Sequence, residues 1–286
     1  VRSFRVNTNK ISEENFEKIN LFGGKKIPYA ENGFYFSCDG IGNHPYHHAG
    51  MIYIQEPSAI APVASVDIQP GWNILDLCAS PGGKSTQAAT QNPDGVLVSN
   101  EIIPSRCKTL TGNIERMGFR NVITTCADAK KIASLYGEVF DLVIVDAPCS
   151  GEGMFRKDEN AQNEWSVENV LHCAERQREI LDEIKTTVKP GGLLLYSTCT
   201  FSLEENEKNV DWFLNENDNF ELIDVKDCVK KYTTDGIMFD GCKENNISRC
   251  RRFYPHVAKG EGQFVALMRK TCGFGIEELP PSALKD

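Results

Sequence analysis

Two cysteines stand at matching places in this sequence. Asp146-Ala147-Pro148-Cys149-Ser150-Gly151 follows the apolar run from Phe140 to Val145, and Tyr196-Ser197-Thr198-Cys199-Thr200 follows Leu193-Leu194-Leu195. A buried cysteine is usually a small apolar filler, and that reading suits Cys107, Cys126 and Cys173. It suits a cysteine after a proline at a strand end much less well, and two equivalent positions make chance a poor explanation. Thiols are strong nucleophiles near neutral pH and good leaving groups. If the two runs are neighbouring parallel strands, both thiols project into one cleft suited to covalent chemistry, and either can be the nucleophile. Asp146 stands beside them as an acid.

A third stretch, Asp76-Leu77-Cys78-Ala79-Ser80-Pro81-Gly82-Gly83-Lys84-Ser85-Thr86, reads as a strand end, a glycine turn and a helix start. Glycines there let a ligand approach the backbone, and the helix N-terminus favours a negative group. Two classes use such a turn. Gly83-Lys84-Ser85 matches the end of a P-loop nucleotidase motif, with Asp146 imitating its second acid, but the motif's first glycine falls on Cys78. The other class binds S-adenosylmethionine and needs an acid at the end of the next strand for ribose hydroxyls. Glu101 lies about 25 residues beyond Asp76, near the spacing of nucleoside-binding folds. Asp128 closes a third strand where it can meet an adenine amino group, and Lys84 can pair with the methionine carboxylate. Solvated strand ends are the bland alternative for Glu101 and Asp128.

A thiol and a methyl donor in one cleft point to a particular reaction. Carbon 5 of cytosine is too weak a nucleophile to attack a sulfonium methyl. A thiolate adding to carbon 6 makes an enamine and so activates carbon 5. After transfer a base removes the carbon 5 proton and the thiol is eliminated, while Asp146 can stabilise N3 and the exocyclic amine. The base must first leave its stack, which calls for an open cleft.

The elements that must position these residues alternate. Strands are predicted at 73–77, 95–99, 121–125, 140–145 and 193–196, with 220–225 and 264–268 completing the sheet. Helices are predicted from Lys84, over Pro104–Met117, over Glu164–Val188 with Pro190-Gly191-Gly192 as its stop, and over Leu203–Leu214. Continuous apolar strands each followed by a helix imply a mostly parallel, doubly wound α/β sheet, whose ligands bind at the carboxyl ends of the strands. Residues 1–70 read as a separate lobe of short mixed segments, 71–272 as the catalytic domain and 273–286 as a tail.

Composition bounds the rest. The chain has 286 residues, 41% apolar and 25% charged, enough for one large domain or a core with a small attachment. No apolar run reaches the roughly 18 residues that span a bilayer, and the start at Val1 lacks a signal-peptide layout. Eleven cysteines, an odd number with no Cys-x-x-Cys pair, suit reduced cytosolic thiols better than a disulfide framework. The net charge of −9 argues weakly against nucleic acid as partner. Local clusters argue the other way: Arg249, Arg251, Arg252, Phe253, Tyr254, Pro255 and His256 form one, and Arg2, Arg5, Lys10, Lys25 and Lys26 another, and both are expected to line an RNA path. His44, His47 and His48 near Cys38 match no zinc spacing, and the proposed chemistry needs no metal.

Together the glycine turn, Asp146-Ala147-Pro148-Cys149-Ser150-Gly151-Glu152-Gly153, Tyr196-Ser197-Thr198-Cys199-Thr200-Phe201 and the following Glu204, Glu205 and Asn206 resemble the Sun-type RNA (cytosine-5) methyltransferases, and among them the bacterial 16S ribosomal RNA enzymes of the RsmF type. Arg5-Val6-Asn7-Thr8 and Gln55-Glu56-Pro57-Ser58 resemble the family's N-terminal segments, so the likeness covers nearly the whole chain. It implies a Rossmann-like class I fold dependent on S-adenosylmethionine, with a small N-terminal α/β RNA-recognition lobe. It implies that Cys199 attacks and Cys149 assists release of the methylated RNA. Cys78, Ala79, Ser80, Pro81, Gly82, Gly83, Lys84, Glu101, Arg106, Asp128 and Asp146 would contact the cofactor, and Asp146 the base as well. The implied partner is RNA, 16S or the small ribosomal subunit, in the cytoplasm, with no membrane. Transfer RNA as substrate and a catalytically silent RNA-binding assembly factor are the alternatives. Bacterial relatives of this type often carry a further C-terminal RNA-binding module, whereas this sequence runs only to Asp286.

Overall fold

In the strand β1 (Arg2–Val6) alternate side chains point to opposite faces, and the two faces have different tasks. Phe4 and Val6 enter an apolar cluster with Phe16, Phe22, Phe34, Phe36, Ile41 and Ile52, while Ser3 and Arg5 turn toward the rest of the protein, where Arg5 is fully buried. The lobe is a three-stranded antiparallel sheet in the order β2–β1–β3, with β2 at Gly33–Phe36 and β3 at Ile52–Ile54. Two helices, α1 (Glu13–Ile19) and α2 (Pro45–His48), complete it. The structure, a computed structural model, describes residues 1–157 and 159–271. The expected tail at 273–286 lies outside the described residues.

Helix α3 (Pro57–Ala64) leads from the lobe to the second sheet. There β4 (Asn73–Asp76), α4 (Gly83–Gln91), β5 (Val96–Asn100), α5 (Pro104–Met117), β6 (Val122–Thr125), α6 (Ala129–Tyr136) and β7 (Phe140–Asp146) alternate as expected. They are followed by α7 (Glu159–Glu164), α8 (Val167–Ile184), β8 (Val188–Thr198), α9 (Glu207–Glu216), β9 (Phe220–Ile223), α10 (Asp227–Lys230), β10 (Thr234–Asp235), β11 (Arg251–Phe253) and β12 (Gln263–Lys270). The strand order is β10–β11–β12–β8–β7–β4–β5–β6, with β9 also on β12. The pairs among β4 to β8 are parallel and those involving β9 to β12 antiparallel.

This is a doubly wound, mostly parallel sheet, and its strands show why they read as unbroken apolar runs. Leu142 and Ile144 join the cluster beneath α3 and α4, while Val143 and Val145 join the one beneath α6, α8 and α9. Both faces are therefore covered.

Three expectations about elements need correction. Pro190-Gly191-Gly192 does not stop a helix. Helix α8 ends at Ile184, a 3-10 turn over Lys185–Thr187 continues it to the expected end, and the triplet lies within β8, where the register against β7 shifts between Phe140 and Leu142. Gly191 is left-handed there, at φ +79°, so the residues make an irregularity in a strand, one of the few strand sites that admits proline. Helix α9 starts at Glu207 rather than Leu203 because Glu205 and Asn206 are used elsewhere, as shown below. The predicted strands also omit β11, which forms the centre of the basic run at 249–256 and is hydrogen-bonded to β12.

Candidate active site

The ladder between β7 and β8 pairs Asp146 with Ser197. Cys149 and Cys199 each follow within a few residues, so the chain leaves neighbouring strands at the same level. The two sulfurs lie 3.3 Å apart. The hydrogen bond to Cys199, and next to it burial, pushes the Cys149 thiol well up, so this thiol holds its proton. Asp146 closes the floor of the cleft: its Oδ1 accepts from Ser197 Oγ (2.7 Å) and Gln263 Nε2 (3.2 Å), and its Oδ2 meets Lys84 Nζ at 2.6 Å.

A buried polar network fastens the two cysteine loops together. Glu205 accepts from Ser150 Oγ (2.5 Å) and Ser150 N–H (3.0 Å), both next to Cys149, and from Gln177 Nε2 (2.8 Å). Ser150 Oγ also bonds Thr200 Oγ1 at 2.9 Å, next to Cys199. Asn206 brackets Cys199 from both sides, accepting from Thr198 Oγ1 (2.6 Å) and donating to the Thr200 carbonyl (3.0 Å). Burial pushes the Glu205 carboxyl up, opposed by these donors. Glu205 and Asn206 were legible only through the resemblance, and Gln177 gave no sequence signal at all, being one glutamine in the middle of α8.

Gly153, like Glu205 and Asn206, was legible only through the resemblance. Its N–H donates to the Cys199 carbonyl at 2.8 Å, and a Cβ built there would lie 2.7 Å from that oxygen and 3.0 Å from the Gly262 carbonyl. Both obstacles are backbone, so a side chain must push the Cys199 loop away. Gly153→Ala is expected to lower kcat about 10- to 100-fold, the effect of displacing a reacting group by a fraction of an ångström to an ångström. Cofactor affinity should be unchanged. Steady-state methyl-transfer kinetics with a cofactor titration check this.

Beside the cysteines, the glycine turn links β4 to α4. Gly82 sits at φ +109°, a conformation side chains resist. Asp76 is fully buried beneath the turn: its Oδ2 accepts from Ser85 Oγ (2.6 Å), and burial raises its carboxyl to about 7. Its Oδ1 has no hydrogen-bond partner among the described residues. Ser80 and Arg106 are locked reciprocally, Ser80 Oγ donating to the Arg106 carbonyl (2.9 Å) and Arg106 Nη2 to the Ser80 carbonyl (3.0 Å). Cys78, Ala79, Ser80, Pro81, Gly83, Lys84 and Asp146 line a cavity of about 250 Å³ whose other wall, Tyr53 to Glu56 and Ala59, comes from the N-terminal part of the chain. Burial pushes the Cys78 thiol well up.

The two strand-end acids differ. Glu101, only 2% exposed, accepts from the Ile103 N–H (3.0 Å) and stands 3.4 Å from Arg106 Nη2. Asp128 is exposed and caps α6 by accepting from the Lys131 N–H at 2.7 Å. A capping role explains Asp128 locally. Lys84, expected to face a carboxylate of the cofactor, is paired with Asp146 instead.

Most cationic side chains of the two basic clusters are engaged within the protein. Arg252 is 2% exposed and ion-paired with the fully buried Glu207, its Nε 2.6 Å from Glu207 Oε1, and Nη1 donates to the Phe201 carbonyl (2.9 Å). Arg251 is buried against Asp235 and Thr233, and Arg249 donates to the Leu222 carbonyl (2.7 Å). Arg5 bonds Gln55 Oε1 (2.6 Å), the Gly83 carbonyl (2.7 Å) and Thr86 Oγ1 (2.7 Å), riveting the lobe to the glycine turn. Arg2 pairs with Asp39, Lys26 with Glu13 and Glu17, and Lys10 donates to the Ala49 and Arg116 carbonyls. Of the lysines and arginines in the two clusters, Lys25 alone is exposed without such a contact among the described residues. Arginine satisfies buried acids and carbonyls readily because its fork carries five donors, and a sequence does not say which acids lie beneath it. Cys126, expected as buried filler, is exposed. His44 caps α2 and packs edge-on against Phe22 at 4.8 Å.

Known proteins match this arrangement along nearly all of the chain. The family described as 16S rRNA methyltransferase RsmB/F matches residues 63–269, and the N-terminal domain of 16S rRNA methyltransferase RsmF matches residues 1–57. Ribosomal RNA small subunit methyltransferase F of Klebsiella pneumoniae is 37% identical over 99% of this chain, and that of Vibrio parahaemolyticus 38% over 94%. The chain spans 60% and 57% of those two relatives' lengths. A crystallised methyltransferase homolog protein from Pyrococcus horikoshii superposes with a TM-score of 0.82 at 33% identity, covering 94% of this chain and 86% of that one. NSun6 from the same organism, solved with SFG, gives 0.67 at 26%, covering 83% and 58%. The fold is the Rossmann-like class I methyltransferase fold, and the chain belongs to the 16S rRNA methyltransferase RsmB/F family.

Proposed function

We propose that this protein transfers a methyl group from S-adenosylmethionine to carbon 5 of a cytidine in 16S ribosomal RNA, through a covalent adduct of Cys199. The observation that carries the reading is the pair of sulfurs 3.3 Å apart at the ends of adjacent parallel strands, beside the glycine turn. The residues around the turn fit the cofactor. Glu101 offers a carboxylate at the end of β5 for ribose hydroxyls, and Cys78 to Pro81 with Gly83 and Lys84 line a cavity bounded on its far side by Tyr53 to Glu56. A nucleoside triphosphate fits poorly, because the one lysine of the turn is already neutralised by Asp146 and the strand-end acids would repel phosphate. When bound, S-adenosylmethionine supplies a methyl group on a positively charged sulfur, which keeps the electrons of the broken bond and leaves as a neutral thioether. In this reading Cys78–Lys84, Glu101, Arg106, Asp128 and Asp146 hold it, residues 1–70 recognise RNA and 71–272 carry the chemistry.

The chain's own residues do the following. Cys199 Sγ, as thiolate, bonds carbon 6, and the ring's electron pair moves to carbon 5, which takes the methyl group. Asp146 accepts from the exocyclic amine, its carboxylate held by Ser197, Gln263 and Lys84. Once a base has taken the carbon 5 proton, the carbon 6–sulfur bond breaks and its electrons return to Cys199. Cys149, a thiol that keeps its proton and lies within hydrogen-bond reach, stabilises the departing sulfur. Methyl-labelled S-adenosylmethionine and unmodified small ribosomal subunits test this: 5-methylcytidine in 16S RNA is expected. Label in transfer RNA alone, or cofactor binding without transfer to any RNA, would contradict it.

A further inference from the structure

Three aromatic rings, Phe201, Tyr254 and His256, form a single near-parallel stack running from the nucleophile loop to the surface. Phe201 and Tyr254 have centroids 5.4 Å apart at 23°, and Tyr254 and His256 5.2 Å apart at 24°. Phe201 lies two residues beyond Cys199, its N–H donating to Glu152 Oε2 at 2.9 Å. Its ring fills the space where Gly262 lacks a Cβ; one built there would lie 2.3 Å from the ring. The inner end of the stack is thus wedged where the Cys199 loop, the Gly153 turn and the start of β12 converge.

The stack is fixed from below and open above. Arg252 Nη1 donates both to the Phe201 carbonyl (2.9 Å) and to Tyr254 Oη (3.2 Å), so one buried arginine ties the Tyr254 ring to the backbone of Phe201. Along β11 and beyond, Phe253 turns into the core at 1% exposed. Tyr254 turns outward and is half-buried, and His256 is exposed. Rings that served only packing would follow Phe253 inward. Offset parallel rings already held in place present a π face to the next ring at little entropic cost. Bases of single strands stack on such faces whatever their identity.

We propose that His256, backed by Tyr254 and Phe201, is a stacking platform for an unpaired RNA base next to the target cytidine. The proposal rests on the RNA methyltransferase reading above. Flipping a base out breaks its stacking with its neighbours, and a platform beside the cleft replaces that loss for one of them. It also divides the run at 249–256 by role: the arginines are structural and the aromatics after Phe253 face the substrate.

The test is kinetic, in the full protein, with the ribosomal RNA or subunit that accepts methyl groups from the wild type as probe. His256→Ala is expected to raise KM for RNA about 5- to 100-fold, the range for losing one stacked base. The effect should fall on KM rather than kcat, with S-adenosylmethionine affinity and thermal midpoint held. His256→Phe should restore most of the affinity. An unchanged KM in His256→Ala would overturn the platform, and so would an equal loss in His256→Phe, which would assign a hydrogen bond instead of stacking. A wild type that binds S-adenosylmethionine yet methylates no RNA would remove the underlying activity, and the platform with it.

Discussion

Cys199→Ser is expected to lower methyl transfer to RNA by about four to six orders of magnitude, the scale seen when an enzyme's nucleophile is removed. Serine keeps nearly the same volume, and the side chains that bracket the loop, Thr198, Thr200 and Asn206, keep their bonds. The fold and the cofactor site therefore survive, and the loss falls on chemistry. An alcohol is ionised far less than a thiol at neutral pH, and an alkoxide is a poor leaving group, so both adduct formation and adduct release suffer. Single-turnover transfer, with thermal melting and cofactor titration as controls, checks this. A loss below tenfold would give the nucleophile's role to another group.

The largest effect on stability is expected from the ion pair between Glu207 and Arg252. Glu207 Oε1 also accepts from the Ile237 N–H at 2.9 Å, so the carboxylate joins α9, β11 and the segment after β10. Glu207→Ala leaves a guanidinium buried without a counter-charge, which costs about 3–5 kcal/mol. Replacing the exposed Glu14, paired with Lys18 at 2.9 Å, should cost only about 0–1 kcal/mol. Urea unfolding of the two variants beside the wild type measures the difference. A Glu207→Ala cost near that of Glu14→Ala would mean that water reaches Arg252.

Much of the fold could be read in the sequence for a physical reason. A parallel strand covered on both faces needs apolar residues at every position, and runs such as Phe140–Val145 advertise it. The glycine turn and the matched Pro148-Cys149 and Thr198-Cys199 ends were visible because ligands and strand ends coincide in such sheets. What stayed hidden depends on partners distant in sequence. Gln177 lies 28 positions from the Glu205 it bonds, and nothing along α8 marks it. Arg251 and Arg252 read as a surface charge run because the acids that bury them, Asp235 and Glu207, lie on other segments. Pro190-Gly191-Gly192 carries the residues of a helix stop and of a strand irregularity alike, and the register against Phe140 decides between them. Helix α9 begins late because Glu205 and Asn206 are held by the cysteine loops, which is a tertiary demand overriding a local pattern.

The central claim is that Cys199 bonds the RNA base while Cys149 helps it leave, and one variant separates those roles. Cys149→Ala, incubated with S-adenosylmethionine and small-subunit RNA, should accumulate a denaturation-resistant protein–RNA adduct that disappears in the Cys149→Ala/Cys199→Ala double variant. An adduct retained by the double variant, or formed by Cys199→Ala and lost on replacing Cys149, would contradict the account.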